Sequence, residues 1–394
     1  RIHANWFLLL FFFSWSISNQ INLSSSDIFI KREAWLIGFS TSFLFLVSII
    51  LNQIFHTYVC LQEGVKIKNI TFFFLGAILI KDKECKNAIG NIKIALVRPL
   101  TYLFVSFILL LLSLLGNPKE TIILNILSRV GSFSLFLGFL NLIPVGSLDG
   151  GVLFKSIVWY FSGSKSKGRV LLNNSTTIIS IFSFLVGLFV LFNISFYYGL
   201  VFSLLGIFGF NASRSESQFM RVEKILKSTK VSEIKLNPLK RIEINSNFLE
   251  FNKLAQRKNQ QNRNYFFITN NGRWDGYITD DDLRSVSIKK WKRTYVQDFR
   301  KSINEFPSEN DCMPLWKIIE KLEKTSDGIL LINNSAGIPK GLIDRSRVGY
   351  FIFMKLGINL SIDILNKFKY NNSYPLGIEL PKIIEIMRKK GEIE

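Results

Sequence analysis

The sequence predicts an α-helical polytopic membrane protein of about six transmembrane helices with a membrane-edge β-hairpin, followed by a soluble α+β domain made of two similar units. Three observations predict it. Apolar residues make up 48% of the 394 positions, 37 of them Phe, and they crowd into the first 210 or so. Basic residues in that part gather in alternate connections between the apolar runs. After Ser213 the composition turns to mixed charge, and a helix–strand–turn–strand order occurs twice at a spacing of about 65 residues.

The elements follow in order. Asn5 to Ile17 resembles the apolar core of a signal peptide, but no small-residue cleavage site follows, so it is taken as a retained first span. The second span runs from about Ala34 to Cys60. Gly64 to Gly76 is β-branched and aromatic and opens with period-two alternation, the pattern of a strand pair. Backbone edges cannot face lipid, so this piece must lie against protein or a cavity. Further spans are expected at Ile92–Leu115, Thr121–Leu142, Thr176–Phe192 and Phe196–Phe210. Lys66, Lys68, Lys81, Lys83, Lys86 and Lys93 fall between spans two and three, and Lys155, Lys165, Lys167 and Arg169 between four and five. Arg214, Arg221 and Lys224 follow span six, so the positive-inside rule puts both termini in the cytosol. The expected division is a transmembrane domain over 1–213 and a cytosolic domain over 214–394, with units at about 228–288 and 293–350 and a helical C-terminal tail.

The net charge of +20 belongs to loops and tail, which points to an anionic membrane surface rather than to nucleic acid. Cys60, Cys85 and Cys312 are too few and too scattered for a disulfide framework or a Cys-x-x-Cys metal site, and suit a reducing, cytosol-facing compartment.

The second span ends in Asn52-Gln53-Ile54-Phe55-His56. Asn52 and His56 lie one helical turn apart on one face, with Gln53 beside them. That is the spacing of the zinc motif His-Glu-x-x-His, with Asn52 in place of the first histidine and Gln53 in place of the glutamate. Polar side chains bonding across packed helices are the plain alternative. Asp149, which closes a second membrane segment, shifts the balance toward a site, because an intramembrane carboxylate demands a partner. A simple turn at Asp149-Gly150 stays open beside it.

With Asn141, Pro144, Leu148, Asp149, Gly150 and Gly151 added, the sequence resembles the site-2 protease family of intramembrane zinc metalloproteases, in the branch with a cytosolic pair of cystathionine-β-synthase (CBS) domains. Phe74-Leu75-Gly76 is similar to the family's Phe-x-Leu-Gly-Gly strand, with Ala77 for the last Gly, and Ala4-Asn5-Trp6-Phe7-Leu8 to its first-span entry. Val97-Arg98-Pro99 stands where the family has Ala-Gly-Pro. The resemblance implies zinc held by two histidines and an aspartate, and a glutamate that activates water to cut a transmembrane protein or peptide. His56 and Asp149 match ligands, Asn52 falls on a ligand position and Gln53 on the general-base position. Asn141 and Pro144 match positions that help hold substrate.

The altered residues weigh against hydrolysis. A carboxamide is a poor zinc ligand beside an imidazole, and Gln cannot take up the proton that general-base catalysis needs, a term worth about 10²–10⁴-fold. The expectation is a pseudoprotease that keeps the fold and the substrate groove. A working protease with altered ligation is the alternative, for which Cys60, one turn past His56, would join His56 and Asp149. A CBS-gated carrier is a third reading, against which no internal repeat across the membrane is found.

In the tail, Gly276-x-x-Thr279-x-x-Asp282 fits the CBS family's ribose-binding pattern. The resemblance implies an adenosine nucleotide, with Asp282 on ribose hydroxyls and Thr279 on phosphate at a helix N-terminus. An ordinary N-cap is the alternative for the same residues. Asp344 and Arg347 occupy the matching positions of the second unit, so one complete site is expected. CBS pairs often associate, which implies a homodimer through the tail.

Overall fold

The computed structural model describes residues 5–24, 31–73, 76–81, 85, 87–116, 121–255, 264–358, 373–377 and 379–393. The chain divides into two compact units, residues 1–217 with 389–394, and residues 218–388.

The first unit contains α1 (Asn5–Ser24), α2 (Lys31–Gln62), β1 (Ile67–Phe73), β2 (Gly76–Lys81), α3 (Ala88–Ser113), α4 (Ile122–Leu140), α5 (Asp149–Ser162), α6 (Lys165–Asn193) and the start of α7 (Phe196–Ser228). Among the described residues, α2, α3, α4, α6 and α7 are long and apolar enough to cross a membrane. Phe104, Phe107, Phe182 and Phe189 stand out from these helices, each more than 60% exposed. Such faces need lipid, not water, as solvent. Between the helices Ser106, Ser134, Thr176 and Ser180 are buried, the small residues that let membrane helices approach closely.

The helix bounds correct several expectations. Lys165, Lys167 and Arg169, expected in a loop, form the first turns of α6, which Ser164 caps by accepting a hydrogen bond from the Lys167 amide. The apolar run alone dates that helix from Thr176, because its polar start carries no hydropathy signal. For the same reason α1 runs past Ile17 to Ser24 and α7 runs past Phe210 to Ser228. Helix α5 was not expected at all: at 14 residues it is too short to register as a span. Gly163, at φ +65°, ends it in the left-handed conformation.

The strand pair also differs from its expected extent. Gly64 to Gly76 supplies β1, but the partner β2 comes mostly after it, antiparallel, with Phe73 opposite Gly76. Phe74, Leu75 and Ala4 of the family-like stretches lie outside the described residues. Val65, Ile67 and Leu79 pack with Cys60, Cys85 and Ile94, so the hairpin base rests on the end of α2 and the start of α3.

The second unit takes the rest of α7, then β3 (Lys240–Glu243), α8 (Phe248–Ala255), β4 (Tyr265–Asn270), β5 (Arg273–Thr279) and α9 (Asp280–Arg284). After β6 (Lys301–Ser302) come β7 (Ser308–Asn310), α10 (Leu315–Lys324), β8 (Ile329–Asn333), β9 (Pro339–Asp344), α11 (Arg345–Lys355) and α12 (Leu380–Lys389). β3 runs parallel to β4, which is antiparallel to β5. β7, β8 and β9 repeat that arrangement. Each repeat is therefore β-α-β-β-α, one strand more than the sequence pattern showed, since β3 and β7 are too short to show alternation. Asn271 and Gly272 both have positive φ, as a tight hairpin turn requires. Helix α10 buries Leu315, Ile318, Ile319 and Leu322 on one stripe. Phe248, Phe251, Phe266, Ile268 and Ile278 form the core of the first repeat.

The segments that enter the repeats cross over. Ser302 and Lys301 pair with Gly276 and Tyr277, while Asn237 bridges to Leu342. A Cβ on Gly276 would lie 2.3 Å from the Lys301 carbonyl oxygen, and one on Gly341 would lie 2.8 Å from that of Asn237. Glycine recurs at matching positions because another backbone passes over both.

Candidate functional site

The loop between α4 and α5 is built from Asn141 to Gly151. Asn141 ends α4, and its carbonyl accepts a hydrogen bond from the Gly150 amide at 2.6 Å. This closure leaves no room for side chains at its neck. A Cβ on Gly150 would lie 2.4 Å from the Leu142 carbonyl, and one on Gly151 would lie 2.1 Å from the Val145 oxygen. Helix α6 holds the loop from outside: the Ser175 hydroxyl donates to the Pro144 carbonyl (2.7 Å), and Thr176 Oγ1 accepts from the Gly146 amide (3.0 Å). Asp149 opens α5 rather than closing a span, a correction to the sequence reading, and the helix N-terminus favours its negative charge. Asn141 and Pro144 are half-buried in this loop, and the Asn141 side chain makes no hydrogen bond among the described residues.

On α2 the polar face turns inward. Asn52, Gln53, His56 and Cys60 are buried, while Leu51, Ile54, Phe55, Tyr58 and Leu61 are exposed on the opposite side. The His56 Nε2 and the Cys60 Sγ are 3.9 Å apart. Gln53 Nε2 donates to Thr57 Oγ1 at 3.4 Å.

Between these two elements stands Arg98 of α3. Its Nη2 donates to Gln53 Oε1 at 3.0 Å, and its Nη1 lies 3.4 Å from each Asp149 oxygen. Asn52 Nδ2 donates to the Arg98 carbonyl at 3.3 Å, and Tyr102, one turn on, lies beside Asn52. The structure thus brings Gln53 and Asp149 together on the Arg98 guanidinium, with Asn52 on the Arg98 backbone carbonyl. The sequence reading noted Arg98 only as a departure from a pattern. A signal was present: an arginine and an aspartate in two apolar segments each demand a partner, and each is the simplest partner for the other.

The donor set does not fit zinc. A catalytic site wants three protein ligands and an open position. Among the described residues no three His, Cys, Asp or Glu side chains gather closely enough to hold a metal ion. The His56, Cys60 and Asp149 set expected for altered ligation is not such a group, and Asp149 faces a cation already.

In the tail, Asp282 Oδ2 accepts from the Thr279 amide (2.8 Å) and hydroxyl (2.6 Å), and Lys301 Nζ lies 2.9 and 3.0 Å from the two carboxylate oxygens. Burial works against ionisation of Asp282, but the bonds from Thr279 and Lys301 outweigh it and hold the carboxyl below its ordinary range. Thr279 caps α9 in this arrangement. Gly276 lies under the crossing strand β6. In the second repeat Asp344 accepts from the Arg347 amide (2.7 Å) and from Asn237 Nδ2 (2.8 Å), while Arg347 Nη2 donates to Asn237 Oδ1 at 2.6 Å. In both repeats a residue from the crossing segment reaches the helix start; the sequence offered no pattern for Lys301 or Asn237.

No family model matches the chain. The chain is 22% identical over 350 residues to sll0528 of Synechocystis, a protein assigned as a zinc metalloprotease, covering 88% of this chain and 91% of that one. It is 21% identical over 327 residues to Rip3 of Mycobacterium tuberculosis, assigned likewise, with 82% of each chain covered. The zinc metalloprotease MJ0392 of Methanocaldococcus jannaschii matches at 28% over 197 residues, 48% of this chain and 53% of that one. Among solved structures, the CBS domain of a bacterial CNNM/CorC family Mg2+ transporter matches 37% of this chain and 86% of its own at 16% identity and a TM-score of 0.29. The CBS-pair protein CBSX2 of Arabidopsis thaliana matches 33% and 98% at 14% identity and 0.26. Over most of its length, then, the chain is similar to zinc metalloproteases, the site-2 protease family that its motifs resemble, and the solved structures that match its α+β tail are CBS-domain pairs.

Proposed function

We propose that the chain is a hydrolytically silent membrane protein of the site-2 protease type, which holds a transmembrane protein or peptide client without cutting it. One observation carries the reading: buried Gln53 stands at the general-base position, and among the described residues no three His, Cys, Asp or Glu side chains gather to hold a metal ion. Without a metal to polarise the scissile carbonyl and a base to activate water, little rate acceleration is left. The half-buried Asn141 amide, with no hydrogen bond among the described residues, is the group we assign to hold the backbone of an extended client segment. The membrane domain is assigned to residues 1–213 and the cytosolic domain to 214–394; with α1 counted as a sixth crossing beside the five long apolar helices, both termini fall on the cytosolic side.

Metal analysis of the detergent-purified chain, run beside a cleavage assay on a transmembrane peptide, tests this. Less than a tenth of an equivalent of zinc and no cleavage are expected. Stoichiometric zinc with cleavage abolished by Gln53→Ala would replace this reading with that of an active metalloendopeptidase of altered ligation.

For the tail we propose an adenosine nucleotide at the first repeat, with Asp282 on the ribose hydroxyls and Thr279 on phosphate, as a regulatory input, and self-association of the chain through this pair. The support is a carboxylate held ionised at a helix start beside a lysine. Calorimetric titration of the full chain with AMP and ATP should give one binding event that Asp282→Asn weakens at least about tenfold, the scale of one lost charged hydrogen bond. Heats at the dilution baseline with both nucleotides would remove the idea.

A further inference from the structure

We propose that Arg98 takes the structural place of the metal: its guanidinium is a built-in cation that ties α2, α3 and α5 together and closes the site to divalent ions. The inference rests on the reading of the site as one that holds no zinc, and it goes beyond that reading by naming what holds the site together.

Three features of the geometry carry it. First, Arg98 reaches both of the elements that the metal motif joins, with Nη2 on Gln53 of α2 and Nη1 against both oxygens of Asp149 on α5. Second, its backbone is fixed at the same level, because Asn52 donates to the Arg98 carbonyl and Pro99 follows directly within α3. Third, the charges balance. A guanidinium brings one positive charge that is never lost at accessible pH, and Asp149 brings one negative charge. A glutamate at position 53 would leave the site one negative charge in excess, and a histidine at 52 would offer a donor with no metal to bind. Gln53, isosteric with glutamate but neutral, accepts from the guanidinium instead, and the neutral Asn52 donates to the Arg98 backbone carbonyl. In charge terms the three departures from the zinc motif form one coherent set, not independent decay.

Buried ion pairs have a diagnostic energetics. Removing one partner leaves a charge with little water to solvate it, whereas removing both costs far less. The test is a melting-temperature cycle on the full chain in detergent with Arg98→Met, Asp149→Asn and the double variant. Each single variant should melt several degrees below the wild type, and the double variant well above the sum of the two losses. Singles that fail to fold beside a double that folds give the same answer. Additive losses, or a double that fails where the singles fold, overturn the proposal.

A second measurement reads exclusion of metal directly. Asn52→His/Gln53→Glu restores the donors but keeps the arginine, and should bind zinc at least about tenfold more weakly than the same protein with Arg98→Gly added. Equal zinc affinity in the two variants overturns the proposal. Stoichiometric zinc in the wild type would remove both this inference and the silent-protease reading, whereas additive melting in a zinc-free wild type removes only this one.

Discussion

Two carboxylates in this chain, Asp149 and Asp282, lie in the first turns of helices, and each faces a cation supplied by another element. Their surroundings differ. Asp149 lies in the membrane unit opposite an arginine that is 23% exposed and whose planar fork engages two residues at once. Asp282 lies in the α+β unit, opposite a lysine that is 41% exposed. Lys301 can swing into water at little cost and yield Asp282 to another partner. Arg98 is less exposed and held on two sides, by Gln53 and Asp149, so it has less freedom to leave. One pair is a fixed tie and the other an exchangeable contact, although both look like a basic residue meeting an aspartate.

The glycines beside the two sites repeat the contrast and give the largest expected effect. Gly151 abuts the backbone of a loop that α6 clamps from the far side, whereas Gly276 abuts β6, a strand of two residues. Gly151→Ala should cost about 3 kcal/mol or more, because nothing near it can yield, and Gly276→Ala about 1–2 kcal/mol, because β6 can lift away. Thermal melts of the purified full chain in detergent compare them. Equal losses would mean that the loop before Asp149 is no stiffer than the tail's crossing strand.

The clamp can be probed from its other side with a smaller effect. Ser175→Ala and Thr176→Ala each remove one side-chain hydrogen bond to that loop, at Pro144 and Gly146. Each should lower stability by about 1 kcal/mol, the net worth of a typical hydrogen bond. A loss near zero for both would show that the loop holds its shape through Asn141 and the glycines alone.

The same contrast explains what the sequence made legible. Long apolar runs and the repeat spacing disclosed the helices and the doubled α+β unit, because burial and lipid contact act on many residues at once. Helix α5 and strands β3 and β7 escaped, being too short to carry periodicity. At the membrane site the motif positions Asn52, Gln53, His56 and Asp149 were readable, since fixed spacing on a helix survives in one dimension. The partner Arg98 was visible as an oddity, but its contacts depend on how three helices meet, which no local pattern records. Lys301 and Asn237 were invisible for a similar reason: they matter only because the segments entering the two repeats cross.

The smallest expected effect separates the two pairs by their response to acid and salt. The folded chain holds Asp282 below its ordinary range, so the pair contributes stability above the unfolded carboxyl value of about 4 and loses it as pH falls toward the lowered folded value. Lys301→Met takes away part of that hold. The difference between wild type and variant should stay below about 1 kcal/mol near neutral pH, because the lysine is largely solvated. It should shrink as pH drops below about 4 and as salt is raised from 0.05 to about 1 M, where screening reaches about 3 Å. The deficit of Arg98→Met should change less over the same salt range, because that pair is the less exposed of the two. A Lys301→Met deficit that changes equally little with salt would make the tail's pair a second fixed tie, and would count against Asp282 as a carboxylate free to change partners.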